Sequence, residues 1–348
     1  MRRRRGAEML PQVRRRERLV LPESSGETDR PCLVHLVWEP YGLETLREFA
    51  KALRSHPSGV DHELVLAMNG FASATEARPY LDEVADLAPE VLFFGGRGVD
   101  MSVYFTAAAR LRRDRYCFVN SAARPLAAGW LAKLDAALAG PGVGQVGATG
   151  AWASGHSWQL YSAGLPSAYR GLMPPPPVAR KLFRDIESEK RGGGQSSATD
   201  VLRARLEILR GLPRTLFSYE PFPARFLRTN AFMITHAALK ELHLFAVRNK
   251  TDAYAFEGSR RSITRQLEGL GLSSLVVDRA GVVYEPADWP RSHTLWQGDQ
   301  EGLLVADNQT RSYTDGDFAR RHLLSTLAWG PQADPRPPRE DRSTMGVR

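Results

Sequence analysis

Between residues 31 and 150, short apolar runs alternate with segments of helical periodicity, and no other feature restricts the fold as much. The runs are Cys32–Trp38, His62–Met68, Val91–Phe94, Tyr116–Val119 and Val143–Ala148. Near-continuous apolar runs of this length, bounded by Asn, Gly or Pro, read as strands covered on both faces. Leu43, Leu46, Phe49, Ala50 and Leu53 share one helical face, which His56-Pro57-Ser58-Gly59 ends. A second helix is predicted over about 74–88, and a third over about 101–113 with Asp100 as its cap. Trp130, Leu131, Leu134 and Leu138 mark a fourth. Strands alternating with helices in this way imply right-handed βαβ units and a mostly parallel sheet flanked by helices, an α/β fold.

In an open sheet of this kind, ligands bind at the carboxyl ends of the strands. Attention therefore falls on the stretch Arg115 to Leu138, RYCFVNSAARPLAAGWLAKLDAAL, where a buried strand stops at Asn120-Ser121 and a helix follows Arg124-Pro125. As plain structure, Asn120-Ser121 is a strand-to-loop turn that satisfies local backbone groups.

The regular alternation lapses over 151–225, which holds Pro174 to Pro177, Gly192 to Gly194 and a helical face of Leu202, Leu206 and Leu209. This segment reads as a helical insertion able to move over a site. Order resumes with Phe226–Ile234, a strand interrupted by Arg228, Thr229 and Asn230, followed by a helix over about 236–243. Ile263, Leu267 and Leu270 mark another buried helical face, and strands are predicted at Leu275–Asp278 and Val282–Tyr284. Asp307-Asn308-Gln309-Thr310 reads as loop. The expected organisation is a basic disordered arm over 1–30, one domain over 31–330 and a disordered tail over 331–348. Within the domain, 31–150 forms one half, 151–225 the insertion and 226–330 the second half.

Charge separates the arm from the body. The chain has a formal net charge of +8, of which residues 1–18 carry +6 through eight Arg and two Glu, leaving +2 on the rest. Such an arm suits weak contact with an acidic membrane surface, or simple solvation. The body shows no basic patch interleaved with aromatics, so nucleic acid is not an expected partner. No apolar run approaches the roughly 18 residues of a membrane span, and the N-terminus has the charge of a secretory signal without its apolar segment. Cys32 and Cys117 sit in apolar runs without metal-ligand spacing, as buried thiols of a reducing cytoplasm would. The expected location is the cytoplasm, with the arm able to meet the inner face of the membrane.

The quoted stretch, continued to Val143-Gly144-Gln145-Val146-Gly147, resembles inverting GT-A glycosyltransferases of the family 2 type. In that family a strand ends in D-x-D, and Pro, a Gly-Trp-Leu helix and a Val-Gly strand follow. The resemblance covers about 31–150 and, more loosely, 226–285. It implies a Rossmann-like GT-A sheet and a donor that is a nucleotide-diphosphate sugar of UDP or GDP type. It also implies Mg2+ or Mn2+, and a glycan, a lipid-linked molecule or another hydroxyl compound as acceptor. Such a site must offset charge developing on the diphosphate and supply a base for the acceptor hydroxyl.

Carried over by position, the resemblance places Asn120 and Ala122 where the family has its two Asp residues. Ala cannot ligate a metal, and neutral Asn is a weaker partner than carboxylate. Three readings stay open. Asn120 and phosphate oxygens hold a metal, a basic group such as Arg124 or Arg228 replaces it, or transfer has been lost. Trp38, Glu39, Asn69, Asp100, Asn120, Ser121 and Arg124 become the expected nucleotide contacts. Glu257, in Phe256-Glu257-Gly258, becomes the expected base, with Asp252 the alternative acid. As plain structure, Glu257 is a first-turn acid suited to the helix dipole and able to pair with Arg261. Arg228, Thr229, Asn230 and His293 are expected near the acceptor. The rival functions are a catalytically inactive binder of nucleotide sugar or glycan, and a basic-tailed adaptor.

Overall fold

The computed structural model describes residues 9–10, 21–24, 26, 29–95, 100–189, 213, 215–244, 247 and 250–338. The helix expected around Leu202 to Leu209 and most of the basic arm lie outside these residues.

Among the described residues nine strands form the main sheet: β1 (Met9–Leu10), β2 (Cys32–Trp38), β3 (Glu63–Asn69), β4 (Glu90–Phe94), β5 (Arg115–Val119), β7 (Val143–Gly147), β10 (Ala231–Thr235), β11 (Ser273–Val277) and β12 (Val283–Tyr284). Their order is β1-β4-β3-β2-β5-β10-β7-β11-β12. Two small antiparallel ladders complete the strands. One joins β6 (Arg124–Pro125) to β13 (Val305–Ala306), and the other joins β8 (Gly150–Ala151) to β9 (Phe226–Leu227).

The sheet is mostly parallel, as the alternation requires. β10 is the exception inside it, running antiparallel to both β5 and β7. From β2 the chain proceeds outward through β3 to β4 and then crosses back to place β5 on the other side of β2. Strand order therefore reverses between β2 and β5, and an open sheet has its crevice at such a point.

Alternating side chains send the two faces of each strand to different layers. Leu33 and Val37 pack with Leu46, Phe49 and Leu53 of α1 (Gly42–Ser55) and with Trp130, Leu131 and Leu134 of α4 (Trp130–Leu138). Cys32, Val34 and Phe118 pack on the opposite face against Val103, Tyr104 and Phe105 of α3 (Asp100–Leu111). Phe256, Ile263 and Leu267 join that layer. His35 is also in the core, its ring stacked on Phe49 at 3.6 Å and 3°. Burial pushes its pKa down to about 3, so the imidazole is neutral there.

The described part of the insertion is a third layer with its own core. α5 (Gly155–Ser162) and α6 (Pro176–Glu189) supply Tyr161, Ala179 and Ile186. These pack with Leu323, Leu324 and Leu327 of α11 (Phe318–Trp329), a helix the sequence reading did not single out. The insertion reads as able to move over a site; its described helices pack through aromatic and aliphatic contacts on the C-terminal helix. Order also extends past 330. Asp334 N–H donates to Gln297 and Arg336 pairs with Glu301, so the tail expected to be disordered is packed as far as the described residues run. At the other end Leu21 is 3% exposed, within the core, and the Pro22 carbonyl bonds His236 Nε2. No helix among the described residues is long and apolar enough to cross a membrane.

One close approach anchors the small β8–β9 ladder to the rest. A Cβ added at Gly150 would lie 2.7 Å from Trp289 Cε3 and 2.9 Å from Val276 Cγ2, and Trp289 is wholly buried. Gly150→Ala is therefore expected to overpack this corner and cost about 1–3 kcal/mol. The measurement is a lower urea midpoint at unchanged m-value.

Candidate functional site

The strand ends beside the switch point meet through their backbone. Ser121 Oγ accepts from the Trp38 backbone N–H at 3.3 Å, which ties the end of β5 to the end of β2. Asn120 Oδ1 accepts from Ala122 N–H at 3.1 Å, closing the turn that lets the chain leave the sheet. The Asn120 bond is the turn chemistry expected of Asn at a strand end, whereas the Ser121 bond is a tertiary tie across 83 positions.

Arg228-Thr229-Asn230 joins the other segments to this point. These residues link β9 to β10, so they leave one ladder and enter the main sheet within three positions. Each makes separate bonds. Arg228 N–H donates to the Thr149 carbonyl at 3.1 Å, and its guanidinium donates to Asp307 Oδ2 at 2.8 Å. Thr229 N–H and Oγ1 both donate to Glu257 Oε1, at 3.1 and 3.4 Å. The Asn230 carbonyl accepts from Asn120 N–H at 2.9 Å, and its side-chain oxygen accepts from Thr149 Oγ1 at 2.6 Å. Asn120, Thr149, Glu257 and Asp307 are thereby gathered around three consecutive residues.

Asp307 belongs to an element the sequence reading took for loop. It caps α10 (Asn308–Thr314) through a capping box, its Oδ1 accepting from Thr310 N–H at 2.9 Å. The cap and the ion pair use different oxygens of one carboxylate. Burial raises its pKa, but the Arg228 charge and the bonds from Arg228 and Thr310 outweigh burial and hold it below the usual carboxylate value. The signal was in the sequence, since Asp307-x-x-Thr310 has capping-box spacing.

Glu257 lies in the last turn of α8 (Lys250–Gly258), not in the first turn of the next helix. The helix-dipole reading therefore does not apply, and Thr229 rather than Arg261 bonds its carboxylate. Ser262 caps the following helix, α9 (Ile263–Gly269). Asp252, the alternative acid, is buried in the first turn of α8 instead of on a loop.

The remaining candidates divide. Trp38, Asn69, Asp100, Ser121 and Asn120 stand at or beside the strand ends, with Glu39 in the 3-10 turn Glu39–Tyr41 that follows β2. Tyr41, which the sequence reading did not choose, is raised in pKa chiefly by burial and then by Asp100 and Asp307, with Arg311 opposing. That set of influences places Tyr41, Asp100, Asp307 and Arg311 in one electrostatic neighbourhood. Arg124 pairs with Glu48 on α1. His293 is elsewhere: its Nδ1 lies 3.2 Å from Glu301 Oε1, and it lines a separate surface depression of about 380 Å³ with Asp278, Arg279 and Tyr284.

Several buried donors around the tripeptide have no hydrogen-bond partner among the described residues: Arg228 Nη1, Asn230 Nδ2 and the Trp38 indole N–H. Buried polar groups are usually paired, although others away from this site, such as Tyr104 Oη and the Trp130 indole N–H, also have no partner among the described residues. Donors left over at a strand-end crevice suit a ligand rich in oxygen acceptors.

No family model and no curated protein matches the chain. Solved structures similar to it are glycosyltransferases. A mannosyltransferase from Pyrobaculum calidifontis, in complex with GDP-Man and Mn2+, is 13% identical with a TM-score of 0.41, covering 90% of this chain and 75% of that one. Glucosyl-3-phosphoglycerate synthase from Mycobacterium tuberculosis, with Mn2+, UDP and glucosyl-3-phosphoglycerate, is 14% identical with a TM-score of 0.31, covering 62% and 60%. Core-mannan synthase A from Aspergillus fumigatus, in its Mn/GDP form, is 10% identical with a TM-score of 0.33, covering 75% and 77%. The ligands are those proteins' own.

Among the described residues this strand end lacks the grouped carboxylates that a divalent cation favours. Such ions take six or more oxygen ligands, carboxylates prominent among them. No three His, Cys, Asp or Glu residues are grouped to hold a metal among the described residues. The Asn120 oxygen, expected as a ligand, accepts from Ala122 N–H and keeps a second lone pair, and each Asp307 oxygen accepts one bond. What the site leaves open is donors.

Proposed function

We propose that the chain is a GT-A glycosyltransferase of the family 2 type that moves a sugar from a nucleotide-diphosphate donor to a hydroxyl acceptor with inversion. The observation that carries this is the tripeptide Arg228–Asn230, which brings Glu257 to the sheet's switch point beside Asn120 and leaves donors unpartnered there. The acid and the anion-binding end of the crevice are then both held by one continuous piece of backbone.

In this reading Glu257 takes the proton of the acceptor hydroxyl. The acceptor oxygen bonds to the anomeric carbon as the bond from that carbon to the phosphate oxygen breaks. The nucleoside diphosphate leaves with the electron pair, and attack from the opposite face inverts the centre. Trp38, Asn69 and Asp100 stand on the nucleotide side, and Thr229 holds the base in place by two bonds to one oxygen, leaving Glu257 Oε2 for the acceptor.

The test is a thermal-shift titration of the full chain with UDP- and GDP-sugars, followed by release of UDP or GDP in the presence of simple glycosides. Stabilisation is expected to grow with ligand, by about 2.7 kcal/mol at a hundred times Kd. Absence of a shift with every nucleotide sugar would sink the reading. A shift without turnover would leave a binding protein.

A further inference from the structure

Among the described residues three guanidinium groups lie near this strand end, and two of them are paired with acids. Arg228 is paired with Asp307 and Arg124 with Glu48. Arg311, one turn into α10, has no carboxylate within ion-pair distance among the described residues. Its Nη1 donates to the Ala122 carbonyl at 3.1 Å. That carbonyl belongs to the residue standing where the resemblance expects the second carboxylate of a metal-binding pair. Arg311 is half-buried, and burial draws its pKa below the usual arginine value because Asp307, Asp315 and Tyr41 only partly compensate. A cation that is partly desolvated and lacks a counter-ion favours an anionic ligand.

We infer that Arg311 supplies, in place of a divalent cation, the positive charge that holds the diphosphate of the donor. The inference rests on the glycosyltransferase reading, and it names the residue that makes nucleotide binding independent of metal. Three features converge on it. The carboxylate expected at position 122 is replaced by alanine, so nothing there competes for the guanidinium. The Ala122 carbonyl fixes Nη1, which orients the planar fork and leaves its other N–H groups for phosphate oxygens. α10 itself is held by the Asp307 capping box and the Arg228 pair, so Arg311 sits on a fastened element. Placing a fixed cation against the diphosphate answers the charge that develops on the leaving group.

The experiment is isothermal titration of the full chain with UDP and GDP, once with Mn2+ and once with EDTA. Uridine and guanosine serve as probes lacking phosphate. The wild-type chain is expected to bind the preferred diphosphate with Kd unchanged within about twofold by EDTA, and more tightly than the nucleoside. Arg311→Gln is expected to weaken diphosphate binding roughly ten- to a hundredfold, leaving nucleoside binding as it was. Arg311→Lys is expected to fall between, since a lysine cannot reproduce the fork. Loss of binding in EDTA, or equal binding by wild type and Arg311→Gln, overturns the inference and leaves the glycosyltransferase reading standing. No binding of either diphosphate by the wild type under any condition overturns both. Should Arg311→Gln fail to fold, wild-type chain in EDTA still decides: equal affinity for diphosphate and nucleoside overturns the inference, and a preference for diphosphate supports it.

Discussion

Arg228→Met is expected to lower stability by about 3–5 kcal/mol, a large share of what holds a domain folded. The Asp307 side chain is 0% exposed and that of Arg228 11%, so water cannot replace the lost guanidinium. Methionine fills much of the volume, and the loss is then one of charge: a carboxylate left buried with only the Thr310 bond on its other oxygen. The double variant Arg228→Met with Asp307→Asn removes the stranded charge and keeps a side-chain oxygen for the cap. It is expected to recover much of the loss, which urea unfolding of the two single variants and the double variant measures as a coupling energy. Full additivity would show that the pair contributes no specific interaction.

The same pair sets a pH dependence. In the folded chain Asp307 titrates below its ordinary value, because the Arg228 charge and the accepted hydrogen bonds outweigh burial. A carboxyl depressed on folding contributes stability in full above its unfolded pKa, about 3.9, and loses it as pH falls through the lower folded value. Without Arg228, burial is opposed only by the Thr310 bonds and the Arg311 charge, and the folded value rises. The acid limb of the stability curve of Arg228→Met is therefore expected to move to higher pH than that of the wild type. Identical acid limbs would show that the depression has another source.

How far the sequence reveals this site depends on the range of the interactions. α4 is predicted and found over Trp130 to Leu138, because four large apolar residues at helical spacing must cover the sheet. β2 is equally legible as a run with no exposed face. The direction of β10 is not, since an apolar run has the same pattern whichever way it points, and Ala231–Thr235 enters a mostly parallel set in reverse. That reversal is what brings Arg228–Asn230 to the strand ends. The resemblance points to Glu257 but sets it at the start of a helix, whereas it closes Lys250–Gly258, a helix of little amphipathic character that ends at Gly258. Arg311 is further still from local reading. Its contact with Ala122 spans 189 positions, and the acid that restrains its helix is paired 79 positions away. Local pattern specifies elements; the partners of isolated charges follow only from the assembled sheet.

Glu257→Gln separates a role in proton transfer from a role in holding the crevice. Glutamine keeps an oxygen that can accept from Thr229 N–H and Oγ1, so the link between α8 and the tripeptide is retained. It cannot take a proton from an acceptor hydroxyl. The expected result is a fall in transfer rate of roughly 10²–10⁴-fold, with nucleotide Kd and unfolding midpoint close to wild type. The removal of one negative charge beside Arg228 acts on binding in the opposite direction, since an anionic donor meets less repulsion; a slight tightening of nucleotide binding is therefore consistent with the role, whereas weakening is not. Thr229→Val tests the positioning of the base. It removes the hydroxyl contact but keeps the backbone N–H bond, and is expected to lower kcat by far less than Glu257→Gln. Analysis of the product's anomeric configuration completes the argument: a single base and a direct displacement require inversion. A Glu257→Gln enzyme that transfers sugar at the wild-type rate would remove Glu257 from the reaction and leave it the task of anchoring Thr229.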